Sequence, residues 1–341
     1  MRIKVTRKIR FLIYSLILYL LMCFCSEQDN YHSIVMETFD IAKKHSINSN
    51  KIKWLAIEEE VSQLVKQLNS EKDLYNILQT IINRLQDRHS YLITANGERW
   101  QKRIIPGKVI TKNYLPLDKL RRAKIAYIEV NPISSAIKQD MDTYAKKLYS
   151  TIVSSYRKDM TGWILDFREN TGGQLWPMLV GLSPLINSDT AGIAIYPNGN
   201  QWSWWAHHGK AGVGENIHYQ LENTDEQYLE KKPIVILISN QTASSGEASV
   251  ISFIGQDQIY LIGEPTQGLA TVNQPFELSN GATLMLTTAY FGDRNKKIYP
   301  DGIKPHILVN NYIENEGVSD IQLNMAIELF ENNELSINNN P

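Results

Sequence analysis

The chain has 341 residues, with 35 basic against 36 acidic side chains, a net charge of -1 and 43% hydrophobic residues. That length builds one large or two modest domains with a substantial buried core. The charge balance excludes the basic footprint of a nucleic-acid binder and a strongly cationic trap for acidic substrates, so function has to be read from sites.

At the N-terminus, Arg2, Lys4, Arg7, Lys8 and Arg10 precede an apolar run from Phe11 to Phe24. A basic stretch followed by an apolar one shorter than the roughly 20 residues of a bilayer span predicts an export signal over residues 1–25. Both cysteines, Cys23 and Cys25, end this run, so no disulfide framework is expected in the rest of the chain. Cys25 followed by Ser-Glu-Gln-Asp-Asn resembles the lipidation junction of bacterial lipoproteins. Met22, Cys23 and Phe24 depart from the small-residue pattern of that junction, which keeps an uncleaved signal anchor as the alternative. Either route predicts an exported protein tethered to the membrane in the cell envelope.

Residues 31–95 carry helical apolar spacing at Ile34, Val35, Phe39 and Ile41, at Leu55, Ile57, Val61, Leu64, Val65 and Leu68, and at Leu74, Ile77, Leu78, Ile81, Ile82 and Leu85. This predicts a helical N-terminal subdomain. From residue 104 to 335 strand and helix patterns alternate: a strand from Lys124, a helix over 134–156, a strand from Gly162, a helix over 174–185. Further strands are expected at 193–196, 234–238, 258–262, 271–277 and 283–290, and a last helix over 320–330. That alternation predicts an α/β core. Residues 197–232 show few periodic apolar positions but hold Trp202, Trp204, Trp205, His207 and His208, and read either as a substrate-facing cap or as a surface excursion. Adjacent histidines diverge in direction and lack a third nearby ligand, so no metal is expected.

Chemistry concentrates in four segments. Pro233 to Ile254 reads as a buried strand, a polar turn and a helix, with Ser244 and Ser245 at the turn. Such a turn exposes a hydroxyl and aims backbone N–H groups and the positive end of a helix dipole at one point. Ser244 also precedes Glu247 by three residues, the spacing of a capping box, so an ordinary helix cap is the competing reading. Gly162-Trp-Ile-Leu-Asp-Phe-Arg-Glu-Asn-Thr-Gly-Gly ends a strand in the glycine pair Gly172-Gly173, which lets backbone N–H groups approach a ligand, as an oxyanion hole requires. A Gly-rich loop, Gly263-Glu-Pro-Thr-Gln-Gly, follows a third strand. Asp87-Arg-His89-Ser90 closes the helical subdomain.

These segments, in this order and with Tyr299-Pro-Asp-Gly-Ile-Lys-Pro, resemble the S41 peptidases, the carboxy-terminal processing and tail-specific proteases. The resemblance covers most of residues 80–310 and implies a ClpP/crotonase-like core. It assigns the nucleophile to Ser244 rather than Ser245, and the oxyanion donors to Ser245 and to Gly172 or Gly173. The processing proteases use a lysine base in a Gly-Lys-Gly loop, which aligns with Gly268-Leu269-Ala270. Leucine cannot accept a proton, so a serine–lysine dyad is excluded at that position. Their PDZ domain does not fit between His89 and the strand at Lys124. The histidine-using branch matches better through Asp87-Arg-His89-Ser90, and within it the sequence is similar to the bacterial nisin-resistance proteins.

The resemblance therefore implies an exported serine peptidase with a Ser244–His89 dyad, acting on peptides or protein C-termini without metal or organic cofactor. An unperturbed histidine pKa near 6.5 suits a general base at neutral pH. Asp301, Glu247, Asp87 and Ser90 are the candidates to orient His89, with Glu247 read equally as a cap and Asp301 as a turn former. Trp202, Trp204 and Trp205 are expected to contact substrate. The competing reading is a catalytically silent S41-fold protein that captures a peptide or hydrophobic ligand at the cell surface. Immunity to a lanthibiotic by C-terminal trimming is a narrower expectation that rests on the resemblance alone.

Overall fold

The structure is a computed structural model that describes residues 30–101, 115–186, 188–222, 224, 229–310, 320–332 and 335. The signal segment, with Cys23 and Cys25, lies outside them. No helix among the described residues is long and apolar enough to cross a membrane. The chain divides into two units: one takes the residues before 104 with Asn273–Thr288, the other takes residues 104–272 with those from Ala289 onward. The return of 273–288 to the first unit departs from the continuous core expected over 104–335.

In the first unit, α1 (residues 30–45), α2 (Trp54–Val65) and α3 (Glu71–Arg84) precede the short strands β1 (Tyr91–Ile93) and β2 (Arg99–Trp100). Ser70 starts α3 by accepting the Asp73 N–H, and Asp73 in the first turn and Arg84 in the last complement the helix dipole. Leu74, Leu78, Ile81 and Leu85 recur at helical spacing, and all four are fully buried with Ile34, Val35 and Phe39. Leu55 is 76% exposed, because α2 buries the face that carries Ile57 and Val61. β1 pairs antiparallel with β2 and with Thr283–Met285, whose Leu284 completes this core.

The second unit runs through α4 (Leu117–Arg122), β3 (Ile125–Glu129), α5 (Lys138–Ser155), β4 (Gly162–Asp166), α6 (Leu175–Ile186), β5 (Ser188–Ile195), β6 (Gln201–His207), β7 (Lys210–Val213), β8 (Asn216–Gln220), β9 (Ile234–Ile238), α7 (Ser245–Ile251), β10 (Ile259–Gly263), β11 (Thr271–Glu277), β12 (Thr283–Gly292), β13 (Ile307–Leu308) and α8 (Ile321–Glu331). β11 and β12 begin in one unit and end in the other. A parallel sheet orders its strands β13-β10-β9-β4-β3. Every residue of β4 and β9 is buried, which explains why both read as unbroken apolar runs rather than alternating ones. On one face Ile164, Val235 and Leu237 pack against Leu323, Ile327 and Phe330 of α8. On the other Trp163, Leu165 and Ile236 join Leu179 and Leu182 of α6 and Ile251 of α7. The result is the mixed α/β architecture expected from the sequence.

Within the stretch 197–232, residues 201–220 supply β6, β7 and β8, which extend β5 into an antiparallel meander. Side chains alternate along β6, so Trp202 and Trp204 share the inward face, with Trp204 buried and Trp202 half-buried, while Trp205 lies half-buried on the other face. Trp204 is fully buried, meets Phe291 edge-on at 5.4 Å and donates its Nε1–H to Ser252 Oγ at 2.9 Å. It is a core side chain, which corrects its expected role as a substrate contact. Trp205 stacks on His207 at 4.7 Å and Trp202 donates to Tyr196 Oη.

Candidate active site

The serine turn is pinned from below by the segment that follows β4. Ser239 Oγ donates to the Arg168 carbonyl at 2.5 Å, Thr242 Oγ1 donates to the Phe167 carbonyl at 2.9 Å, and the Ala243 N–H donates to the Asn170 carbonyl at 3.0 Å. Ser244 then adopts φ 53° and ψ -120°. An ordinary N-cap has extended backbone. A non-glycine residue held in this region costs about 1–3 kcal/mol and persists only where its surroundings over-determine it. Ser244 nevertheless remains only half-buried while the next seven residues are buried, so the strained residue is the one that presents its hydroxyl. Ser244→Gly is expected to raise the unfolding free energy by about 1 kcal/mol. Denaturant titration reads this, and a loss of stability would mean that the turn carries no strain.

Glu247 supplies that over-determination. Its fully buried carboxylate accepts the Ser244 N–H at 2.9 Å, Thr266 Oγ1–H at 2.5 Å, the Gly268 N–H at 3.0 Å and the Leu269 N–H at 2.8 Å. Burial pushes this carboxyl up to about 7, against the opposing pull of the four donors. The residue acts as the cap foreseen by its spacing and also ties the serine turn to the loop after β10. In that loop Leu269 is a buried apolar side chain, 5% exposed.

The glycine pair lies against the serine turn. A Cβ on Gly172, at φ 96°, would lie 2.9 Å from Ser244 Cβ and 3.1 Å from the Ser245 nitrogen, so only glycine permits this approach. The two glycines differ in what their N–H groups do. Gly172 N–H donates to Asn170 Oδ1 at 2.9 Å. The Gly172 carbonyl and the Gln174 N–H both bond to Ile133, so by alternation the Gly173 N–H points the other way. Ser245, first residue of α7, has no intrahelical acceptor for its N–H, and its hydroxyl donates to the Gly173 carbonyl at 2.7 Å.

A buried charge cluster fixes the base of this arrangement. Arg168 grips Asp166 through Nε and Nη2 at 3.0 and 2.7 Å, and Asp320 through Nη1 and Nη2 at 2.7 Å each. Tyr127 Oη donates to Asp166 at 2.6 Å, and Asp320 also caps α8. The two forks hold the Arg168 backbone, and with it the start of the glycine turn, at the end of the sheet.

His89 belongs to the first unit. Asp87 Oδ1 accepts the backbone N–H of His89 at 2.9 Å and of Ser90 at 2.7 Å, and Oδ2 accepts Ser90 Oγ–H at 2.8 Å. Asn273 Nδ2 donates to the His89 carbonyl at 2.8 Å, and Ser90 Oγ accepts the Thr287 N–H at 3.0 Å. Asp87 and Ser90 thus hold the backbone that carries the imidazole. Burial, and then the charge of Arg99, hold the His89 ring down to about 4, well below the ordinary value near 6.5. Asp301 is exposed in the turn from Tyr299 to Gly302. Tyr299 is buried and donates to Asp293 at 2.7 Å. Among the described residues no group of His, Cys, Asp and Glu could hold a metal ion.

Two positioning residues escape sequence reasoning. Asn170 joins the glycine turn to the serine turn, with Nδ2 also donating to the Val130 carbonyl at 2.9 Å. Asn273 reaches His89 across 184 positions. Asn170 has one local contact, the Gly172 N–H two residues on, but its bond to Val130 and that of Asn273 to His89 depend on partners brought near by folding.

The sequence profile of peptidase family S41 matches residues 124–309. The chain is 32% identical to the nisin-resistance protein of Lactococcus lactis subsp. lactis over 169 residues, 49% of this chain and 51% of that protein. It is 29% identical to the carboxy-terminal processing protease CtpA of Bacillus subtilis (strain 168) over 169 residues, 49% of this chain and 32% of that protein. The matched stretch thus spans about half of the first relative and a third of the second. A solved lipoprotein from Streptococcus agalactiae shares the fold with a TM-score of 0.67 over 89% of this chain and 97% of that one, at 22% identity.

Proposed function

Because this chain belongs to peptidase family S41, we propose that it is a serine-type peptidase that cleaves peptides or protein C-termini through an acyl-enzyme on Ser244. His89 takes the Ser244 proton as the hydroxyl attacks the scissile carbonyl, gives it to the leaving amine, and then activates the water that releases the acyl group. The Ser245 and Gly173 N–H groups are the oxyanion donors, each worth about 3 kcal/mol in the transition state. Gly172 N–H serves Asn170 instead. The observation that carries this reading is Ser244 itself, a strained and half-buried serine whose backbone N–H Glu247 holds and against which the Gly172 backbone lies closely.

Labelling with a fluorophosphonate probe tests it: wild type is expected to react and Ser244→Ala not. An unreactive wild type would favour the catalytically silent ligand-binding reading. Digestion of a peptide library that includes nisin, read by mass spectrometry, would identify the bond cleaved. The N-terminal signal pattern and the name of the streptococcal structure support export and tethering at the cell envelope, which cell fractionation tests.

The lowered pKa of His89 gives the reading a pH signature. The imidazole is charged below its pKa and cannot then accept the serine proton, so activity falls as pH falls through that value. The acid limb of kcat/KM is expected well below 6.5, toward about 4. Titration of the His89 ring by NMR assigns the limb, and a ring that titrates at 6.5 would refute the buried base.

A further inference from the structure

A groove of about 940 Å³ in the second unit takes no part in the chemistry above. One wall is a single face of α5, where Lys138, Asp142, Lys146 and Lys147 recur at helical spacing from 138 to 150. The other wall is the run 217–222, all six residues in succession. Strand side chains alternate between faces, so successive residues line a groove only when it follows the edge of a strand. β8 ends the strand order of its sheet and, among the described residues, has β7 as its one neighbour. Leu221 N–H donates to the Gly209 carbonyl on the β7 side, so the backbone N–H and C=O of Gln220 face the open side. The α5 face is about 18 Å long at 1.5 Å per residue, which matches about five residues of extended chain.

The charges in the groove are unequal. Asp142 is satisfied by Lys138 at 2.6 Å and by Tyr219 Oη at 2.5 Å. Lys146 and Lys147 have no carboxylate partner among the described residues, and Glu222 at the end of the groove leaves three lysines against two acids. The floor connects to the reactive turns, because the His218 ring stacks on Trp176 at 4.4 Å and 14°, and Trp176 follows Gly173 by three residues. Exposed Ile217 adds an apolar contact.

We propose that this groove docks about five residues of an extended acidic segment of the substrate, added as a strand to the edge of β8 with its carboxylates on Lys146 and Lys147. The proposal rests on the peptidase reading, and binding measured on the full-length Ser244→Ala variant separates the two. The probe is a fluorescein-labelled heptapeptide of alternating glutamate and valine, followed by anisotropy. It is expected to bind, while the lysine–valine counterpart does not. Methylation of alternate backbone nitrogens of the probe, and the Lys146→Glu/Lys147→Glu double variant, are each expected to weaken binding at least tenfold. In the otherwise wild-type chain that double variant should leave hydrolysis of a small fluorogenic ester unchanged and raise KM for acidic peptides. Equal binding of both peptides, indifference to charge reversal or to methylation, or no binding at all would overturn the groove. Binding by Ser244→Ala with no cleavage by the wild type would instead leave the groove standing and remove the peptidase reading.

Discussion

Ser244→Ala and His89→Ala are each expected to lower kcat for peptide cleavage by on the order of 10⁴-fold or more, and the double variant is expected to lose little beyond either single change. Residues that act as one unit are grossly non-additive, because the hydroxyl without its base, or the base without its hydroxyl, performs the same incomplete step. Some catalysis over water should survive in all three variants through the oxyanion donors. Their folds should remain intact. The Glu247 carboxylate holds Ser244 through the Ser244 N–H, and Asp87 and Asn273 hold the His89 backbone. Single-turnover kinetics with circular dichroism as the folding control checks the cycle. If the double variant lost the product of the two single effects, Ser244 and His89 would be acting independently and the dyad would be wrong.

Much of this site is legible in the chain because its local geometry has local causes. The apolar run Ile234–Ile238, the serines after it and Glu247 at the capping spacing announce a strand, a turn and a helix, and the glycine pair announces a close backbone approach. The meander is harder to read. β7 contributes Ala211 and Gly212, and β6 places a tryptophan on each side of the strand, so apolar alternation is blurred where Trp204 enters the core. Its burial depends on Ser252 and Phe291, 48 and 87 positions away. Asn273 is illegible for the same reason, as is the bond from Asn170 to Val130, 40 positions away. The two N–H groups of the glycine pair cannot be told apart from sequence either, since what separates them is the Asn170 side chain on one and the Ile133 backbone opposite the other.

Glu247→Ala is expected to cost about 3–5 kcal/mol of stability, because it removes one acceptor from four donors at a site from which water is excluded. A buried donor left without an acceptor costs about 1–3 kcal/mol, discounted here for water that can enter the space left behind. Glu247→Gln keeps the shape but turns an NH2 group toward backbone N–H groups on one side, since Gly268 faces Oε1 while Ser244 and Leu269 face Oε2. Its cost should be smaller but not zero. The carboxyl also sets a pH slope. Its folded pKa, about 7, lies above the ordinary 4.5, so the folded state binds the extra proton between those values. The stability that it contributes is complete below 4.5 and is lost as pH rises through 7, on the order of 3 kcal/mol in all. His89 works in the opposite sense: its pKa is depressed to about 4, so its contribution is present above 6.5 and is lost as pH falls through 4. Wild type should therefore lose part of its margin over Glu247→Gln between pH 4.5 and 7, as read by denaturant titration across that range. Parallel curves for the two proteins would mean that the four donors already hold Glu247 ionised at acid pH. The serine turn would then be buttressed by a permanent charge rather than by a proton-dependent one.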